Sequence, residues 1–426
     1  MTPTTAEPVP APRPGPGPLD YAVKALKALS SVRLTVWLLA AAVGLVFFGT
    51  VAQMEFGIWT VVDQYFWSWV VWVPTDLFRQ FASVFLSEWF PKDGPRWTGS
   101  FPFPAGKLLG GLMLLNLLSA HAVRFRLTWK RSGVILLHSG LILLFVGEFV
   151  TREFAIEQRM PIREGASANY TVDHRLMELA FVTPDGKDQD KVVVVPERLL
   201  RAKAGKISAP DLPVDVEVLD YFSNARIEKV TTAAKGNLAT AGIGRGLVAT
   251  KEAEVSGADA GNRTDVPAAY VRLFDKESGK DLGTYLVGAY ITHIGGHEDV
   301  AAGGKTYQMT LRNIRYYKPY SVYLEEFRFD RYPGTQKPRN YSSKIILKDD
   351  DGTERHQIVK MNDPLRYRGE TFYQSAFDPD ESGTILAVVQ NPGWLIPYLS
   401  CTLVSVGLLL HFGIHLTQFL KRRAAA

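Results

Sequence analysis

The sequence predicts a membrane protein with four transmembrane α-helices, three near the N-terminus and one near the C-terminus. A large extracytoplasmic, mainly-β domain is expected between the third and the fourth. Three observations carry this reading. Four long stretches lack charge, residues 152–393 hold a succession of short β-branched and aromatic runs, and basic residues collect at one end of each span. A mean hydropathy of −0.01 with 46% apolar residues would suit a soluble protein only if those residues were evenly spread. One cysteine in 426 residues excludes a disulfide framework, a zinc cluster and a paired-cysteine redox site. A net charge of +5, unevenly placed, gives no case for nucleic acid.

Residues 1–18 hold seven prolines and little to bury, so they read as a disordered cytoplasmic tail without the layout of a cleavable signal peptide. Residues 19–32, beginning LDYAVKALKALSS, place apolar residues at helical spacing beside two lysines, as in a helix lying on the membrane surface. The first span, 33–53, is uncharged from Leu34 to Met54 and long enough to cross a bilayer. Residues 54–106 form an outer loop rich in aromatics. The runs WTVVDQYFWSWVVWVP and LFRQFASVFLSEWF within it read as two half-length amphipathic stretches. They suit an aromatic belt at the interface, or a wall of a ligand chamber.

The second span, 107–125, is short, but Lys107 and Arg124 at its ends can reach the interface. The third covers 133–151, where Glu148 is placed to pair with Arg152 at i,i+4. The fourth covers 394–419, followed by a basic tail at 420–426. Basic residues near span ends set the orientation. Lys24, Lys27 and Arg33 precede the first span, Arg124, Arg126, Lys130 and Arg131 join the second to the third, and Lys421 to Arg423 follow the last. Both termini are therefore expected in the cytoplasm of a multi-pass protein of the cell inner or plasma membrane, with 152–393 outside.

Within 152–393 the strand signals include VVVVP, VDVEVLDYF, AYVRLF, TYLVGAYITHI, TYQMTLRNI, SVYLEEFRF, SKIILKD, RHQIVKM, TFYQSAF and TILAVVQ, separated by turn-rich stretches. Residues 222–265 are poorer in strand signal and read as a long loop or insertion.

No nucleotide loop, nucleophile elbow, paired carboxylates or zinc motif stands out, and no catalytic residue is assigned. The informative residues are histidines. Four of the eight, His121, His138, His411 and His415, fall within the spans and, given the orientation, in the inner leaflet. An ionisable residue inside a membrane marks function by default. Ser400, Val404, Gly407, His411 and His415 share one helical face, and Gly133, Gly140 and Gly147 form a seven-residue stripe suited to packing against a sibling helix. His138 stands about 200° from Gly140 around its helix, toward a neighbour inferred to be another subunit. Neutral imidazole in such a pocket suits axial ligation of haem iron. Two histidines at i,i+4 lie on one side of a ligand, so ligation from both faces needs two helices. His121 and His415, near the interface, read first as packing residues, and for His411 the two readings balance. The chain lacks CxxCH, so it carries no covalent c-type haem itself.

Several segments resemble the ResB (CcsB) family of system II cytochrome c biogenesis. They are SSVRLTVWLLAAAVGLVFFGTVAQ at 30–53, HSGLILLFVGEFVTREFAIEQRMPIREGAS at 138–167, LEEFRFDRYPGTQKPRNYSSKIILKD at 324–349, MNDPLRYRGETFYQSAFDPD at 361–380 and NPGWLIPY at 391–398. They occur in the family's order with its three-plus-one arrangement of helices, and 168–320 matches by position alone. The resemblance implies a membrane subunit that works with a CcsA-type haem-handling protein. Together they would bind and export haem (haem b, held transiently) and present apocytochrome c for covalent attachment. It implies a non-catalytic or co-catalytic part in a holocytochrome c synthase complex, served by an external thiol reductant system. His138 maps onto the family's proposed inner-site haem ligand; His411 and His415 have no family role. Asp363, Pro364, Tyr373, Gln374 and Ser375 are the candidate apocytochrome contacts, with a structural hairpin as the other reading. The rival classes are a haem-free membrane-anchored receptor or scaffold, and a haem-dependent redox or sensor subunit.

Overall fold

The computed structural model describes residues 17–91, 94–124, 128–186, 189–203, 205–230, 236–255, 265–335, 338–378 and 380–425, so most of the expected N-terminal tail lies outside the described residues. The chain divides into two compact units, one holding residues 1–153 with 393–426 and the other residues 154–392.

The first unit begins with α1 (Pro18–Leu29) and α2 (Val32–Ala52). The short helix α3 (Ile58–Val61) continues as a π-turn over Val62–Phe66. A hairpin of β1 (Val70–Pro74) and β2 (Ser100–Pro104) follows, with α4 (Asp76–Phe85) between its strands. The long helices α5 (Gly106–Arg124) and α6 (Ser132–Phe154) complete the N-terminal part. The outer loop is thus a folded element rather than two amphipathic stretches. The first stretch breaks because V-V-W-V-P alternates: Val71 and Val73 are buried and Trp72 is exposed, the period of a strand. In α4 the buried Asp76 carboxylate takes the Arg79 guanidinium at 2.6 Å and the Trp97 backbone N–H at 2.9 Å. That pair holds the Asp76 carboxyl well below the usual carboxylate range.

Asn116, a buried amide within α5, fastens the turn between the first two helices. Its Nδ2 donates to the Leu29 carbonyl at 2.5 Å and its Oδ1 accepts from Thr35 at 2.8 Å. A helix end leaves such carbonyls without intrahelical donors, and inside a bilayer they must find protein partners. Arg152 turns to Asp63 rather than to Glu148. The π-turn over Val62–Phe66 brings Asp63 to 2.8 Å from its guanidinium, with the Trp67 ring beneath it at 5.0 Å.

The second unit is mainly β. Its first half holds β3 (Ile156–Arg163), β4 (Ser167–Pro184), β5 (Asp190–Pro196), helix α7 (Glu197–Arg201), β6 (Lys206–Ile207), β7 (Val214–Phe222), β8 (Ala225–Lys229), β9 (Leu247–Lys251), β10 (Ala268–Asp275) and β11 (Asp281–Gly288). Its second half holds α8 (Ala289–His293), β12 (Glu298–Ala302), β13 (Lys305–Arg331), β14 (Pro338–Asp349), β15 (Glu354–Lys360), β16 (Leu365–Tyr367), β17 (Glu370–Phe377) and β18 (Gly383–Gln390). The large sheet has the order β15-β14-β13-β4-β3-β18-β17-β16, with β5 and β12 pairing β4 and β13. A four-stranded sheet, β11-β10-β7-β6, covers its first half around a core that includes Phe181, Val216, Val271 and Leu311. In the second half the large sheet folds over itself around Met160, Val322, Ile345, Phe372 and Leu386.

The expected strand runs TYQMTLRNI and SVYLEEFRF are one strand, the 27-residue β13, bent by bulges at its pairings with β4 and β14. TYLVGAYITHI divides: it leaves the sheet at Gly288 and turns into α8, where Thr292 donates to the Leu311 carbonyl at 2.8 Å. The stretch read as a loop, 222–265, carries the β8–β9 hairpin, and part of it lies outside the described residues.

The last element is α9 (Ile396–Ala424), with proline in its first turn. It runs through the basic segment read as a tail, because Lys421, Arg422 and Arg423 favour a helix C-terminus. Among the described residues four helices are long and apolar enough to cross a membrane, three before the β unit and one after it.

Candidate functional site

The glycine stripe of α6 is the seat of α9. A β-carbon on Gly133 would stand 2.5 Å from the His411 backbone nitrogen, one on Gly140 2.7 Å from Val404, and one on Gly147 2.6 Å from Ile396. Gly407 answers from α9, where a β-carbon would stand 2.6 Å from the Leu137 backbone nitrogen. The Ser400–Val404–Gly407–His411 face therefore meets the stripe backbone to backbone, the packing that small residues permit between membrane helices.

His138 lies off this contact. Arg124 ends α5 and Ser132 begins α6, so a short connection returns the chain and brings similarly placed residues level. The His121 and His138 rings meet edge to face with centroids 5.3 Å apart. Within the chain, His138 thus has His121 as its neighbour, beside the one expected from another subunit. The cause is the packing of α5 against α6, which face spacing along α6 alone does not reveal. His121 Nδ1 lies 3.0 Å from the Leu117 carbonyl, a bond that requires the hydrogen on Nδ1 and places the lone pair of a neutral ring on Nε2. A carbonyl in that position is the common orienting partner of a ligating imidazole.

His411 and His415 form a second pair on α9, ring centroids 4.5 Å apart, with His411 half-buried and His415 exposed. The four histidines therefore stand two and two. Among the described residues no group of three or more His, Cys, Asp and Glu side chains is arranged around a possible metal position.

Haem can be tested against this geometry. Ligation of one iron by both His121 and His138 needs bonds of about 2 Å on opposite sides of the metal, with the macrocycle between the rings. Rings in edge-to-face contact at 5.3 Å leave no space for it. The pair fits haem only as a donor from one side, so the opposite axial ligand must come from elsewhere.

In the β unit the predicted contact residues occupy different environments. Asp363 is exposed and closes the turn between β15 and β16, exchanging backbone hydrogen bonds with Lys360 at 3.1 and 3.2 Å. Asn362 in that turn has φ +63°, a conformation asparagine tolerates. Pro364 is half-buried. Tyr373 and Ser375 point outward from β17, and Ser375 is the extra residue of a bulge against β18. Gln374 points inward: it accepts from Ser343 at 2.6 Å and donates to Thr384 at 2.8 Å. Its side chain ties three strands together and is 8% exposed, so it is not presented to a partner.

A polar knot that sequence reasoning missed lies beside this segment. Lys318 donates to Glu370 at 2.5 Å and to Gln158 at 3.3 Å, Thr171 donates to Gln158 at 2.6 Å, and Tyr320 donates to Glu370. Burial, with the Glu370 carboxylate next to it, pushes the Tyr320 hydroxyl far above its ordinary pKa. The knot sits where β13 gains residues on β4, between Tyr317 and Val322, and ties that bend to β3 and to the start of β17. Pro319 within the bend is the one local signal of it.

The family model described as ResB-like matches residues 286–393, which contain β12–β18 and all five predicted contact residues. The four membrane histidines lie outside that stretch. The chain is also 39% identical over 92 residues to the protein NrfI of Wolinella succinogenes, an alignment covering 21% of this chain and 10% of that protein. Residues 286–393, which follow three apolar helices and lead into a fourth, are thus similar to the ResB-like family.

Proposed function

We propose that the chain is the ResB-type membrane subunit of system II cytochrome c biogenesis. With a CcsA-type membrane protein it would carry haem outward and present apocytochrome c for covalent attachment beyond the cytoplasmic membrane. The observation that carries this reading is the ResB-like match over the second half of the β unit, joined to the three-plus-one order of apolar helices. The basic residues at one end of the spans support cytoplasmic termini and an external β unit.

Haem is the cargo, and its vinyl groups receive the apocytochrome thiols. On this chain His138, with His121 against it, supplies an imidazole from one side, and the CcsA-type partner supplies the other axial ligand. His411 and His415 pack α9 and stand aside from that position. Cys401 lies within α9, so reducing equivalents come from an external thiol system. In the β unit, β17 pairs β18 along residues 371–377 but β16 only along 370–372. The remaining edge, next to exposed Tyr373 and Ser375, is open to an extended apocytochrome segment added as a strand.

The test is the absorption spectrum of the purified full chain, alone and with the CcsA-type partner. A Soret band is expected that weakens in His138→Ala and returns with added imidazole. A colourless complex that still supports c-type cytochrome assembly would sink the haem site.

A further inference from the structure

We infer that the outward face of the large sheet is a docking surface for an acidic, extended segment of a partner protein. The register places Tyr373 of β17 opposite Ala387 of β18, Ala387 opposite Arg159 of β3, Arg159 opposite Val172 of β4, and Val172 opposite Arg315 of β13. These five residues form one row across five strands, on the face opposite the core residues Phe372, Leu386 and Met160. Four strand steps make the row roughly 19 Å long, with the two arginines about 10 Å apart.

Tyr373 is 42% exposed and Arg159 is exposed. The Arg315 guanidinium stacks over Tyr170 at 4.4 Å, and Tyr170 touches Tyr317, which is 58% exposed. Among the described residues neither Arg159 nor Arg315 forms an ion pair, whereas Arg328, elsewhere on the sheet, is matched to Glu326 at 2.9 Å.

Charge complementarity sets the occupant. The row has two cations without an ion-pair partner and no acid; the acids nearest in sequence are Asp173, next to Val172 and taken up by the Arg175 and Leu176 backbone N–H groups, and Glu157, two residues along β3. Arginine and tyrosine are the residues enriched where proteins meet, and lysine is depleted there. Anionic membranes recruit clusters of about four to eight basic residues, and the row holds two. The surface therefore favours a protein segment over a lipid surface, and this inference stands apart from the haem reading.

The test uses the full chain in nanodiscs of zwitterionic lipid. It is titrated with a labelled peptide of alternating glutamate and threonine, and with the lysine–threonine counterpart. The acidic peptide should bind with an affinity that falls as salt rises, and the lysine peptide about tenfold or more weakly. Arg159→Gln with Arg315→Gln should weaken the acidic peptide by about tenfold, and Arg159→Lys with Arg315→Lys by less, with circular dichroism unchanged. Arg328→Gln should have no effect. Equal binding of the two peptides, or undiminished binding by the glutamine variant, would overturn the inference. Phosphatidylglycerol vesicles that displace the peptide from the wild type would make the face a membrane contact, which also overturns it.

Discussion

His121 packs its ring edge to face on His138 across two consecutive helices, the centroids 5.3 Å apart. A contact this close makes the two residues one site with unequal parts, so single substitutions should separate them. On the proposed haem reading, His138→Ala should remove most of the Soret absorbance of a complex with a CcsA-type protein. His121→Ala should leave the haem content within about a factor of two and shift the band, because a neighbour of the ligand is lost rather than the ligand. Haem content after purification, with and without imidazole, decides between them. The reverse order of losses would move the donor to His121.

The seat of α9 on α6 should be intolerant of volume. Gly140→Val adds atoms where a β-carbon already stands 2.7 Å from Val404, and overpacking of this kind costs about 1–3 kcal/mol or more. Gly110→Val, with nothing within 4 Å of the added carbon, is the matched control. Thermal unfolding in detergent should show a lowered midpoint for the first and little change for the second.

The Lys318–Glu370 pair is nearly enclosed, its side chains 14% and 12% exposed. Removing one partner leaves the other's charge stranded, so Lys318→Met should cost about 3–5 kcal/mol. Replacing both, Lys318→Met with Glu370→Leu, should cost less than Lys318→Met alone. Denaturant unfolding of the four members of this cycle measures the coupling, and strict additivity would remove the pair from any special role.

Asp76 gives the outer hairpin a defined pH response. The Arg79 guanidinium and the Trp97 N–H lower its folded pKa, so its contribution is complete above the ordinary carboxylate range. That contribution falls away as the pH drops from about 4 toward the depressed folded value. Wild type should unfold at a higher temperature than Asp76→Asn at pH 7, and the gap should narrow on acidification below pH 4. A gap of constant size from pH 7 to pH 3 would contradict this origin.

The long helices were readable because a run of about twenty apolar residues without charge matches the thickness of a bilayer and little else. The seat of α9 was readable because seven-residue glycine spacing and the 400–411 face each declare a packing surface. The His121–His138 contact was not, since it depends on how α5 and α6 pack on one another rather than on any periodicity. Strands β3 and β4 escaped notice for another reason. Gln158, Met160 and Ile162 alternate inward, but Arg159 and Pro161 between them, with Glu157 and Arg163 on either side, mask the apolar signal. Gln374 misled in the opposite direction: a polar residue in a polar-looking strand is buried, because Ser343 and Thr384 on neighbouring strands satisfy its amide.

Ile156 and Gln390, the first and last paired residues of the β unit, are directly opposite one another on β3 and β18. The chain therefore enters and leaves this unit about 5 Å apart. A block whose two ends abut can be excised and the scar closed by a few residues joining α6 to α9. It can equally be exchanged for a relative's version without redrawing the membrane helices. Chimaeras spliced at these two positions would let the specificity of the β unit be traded independently of the four apolar helices.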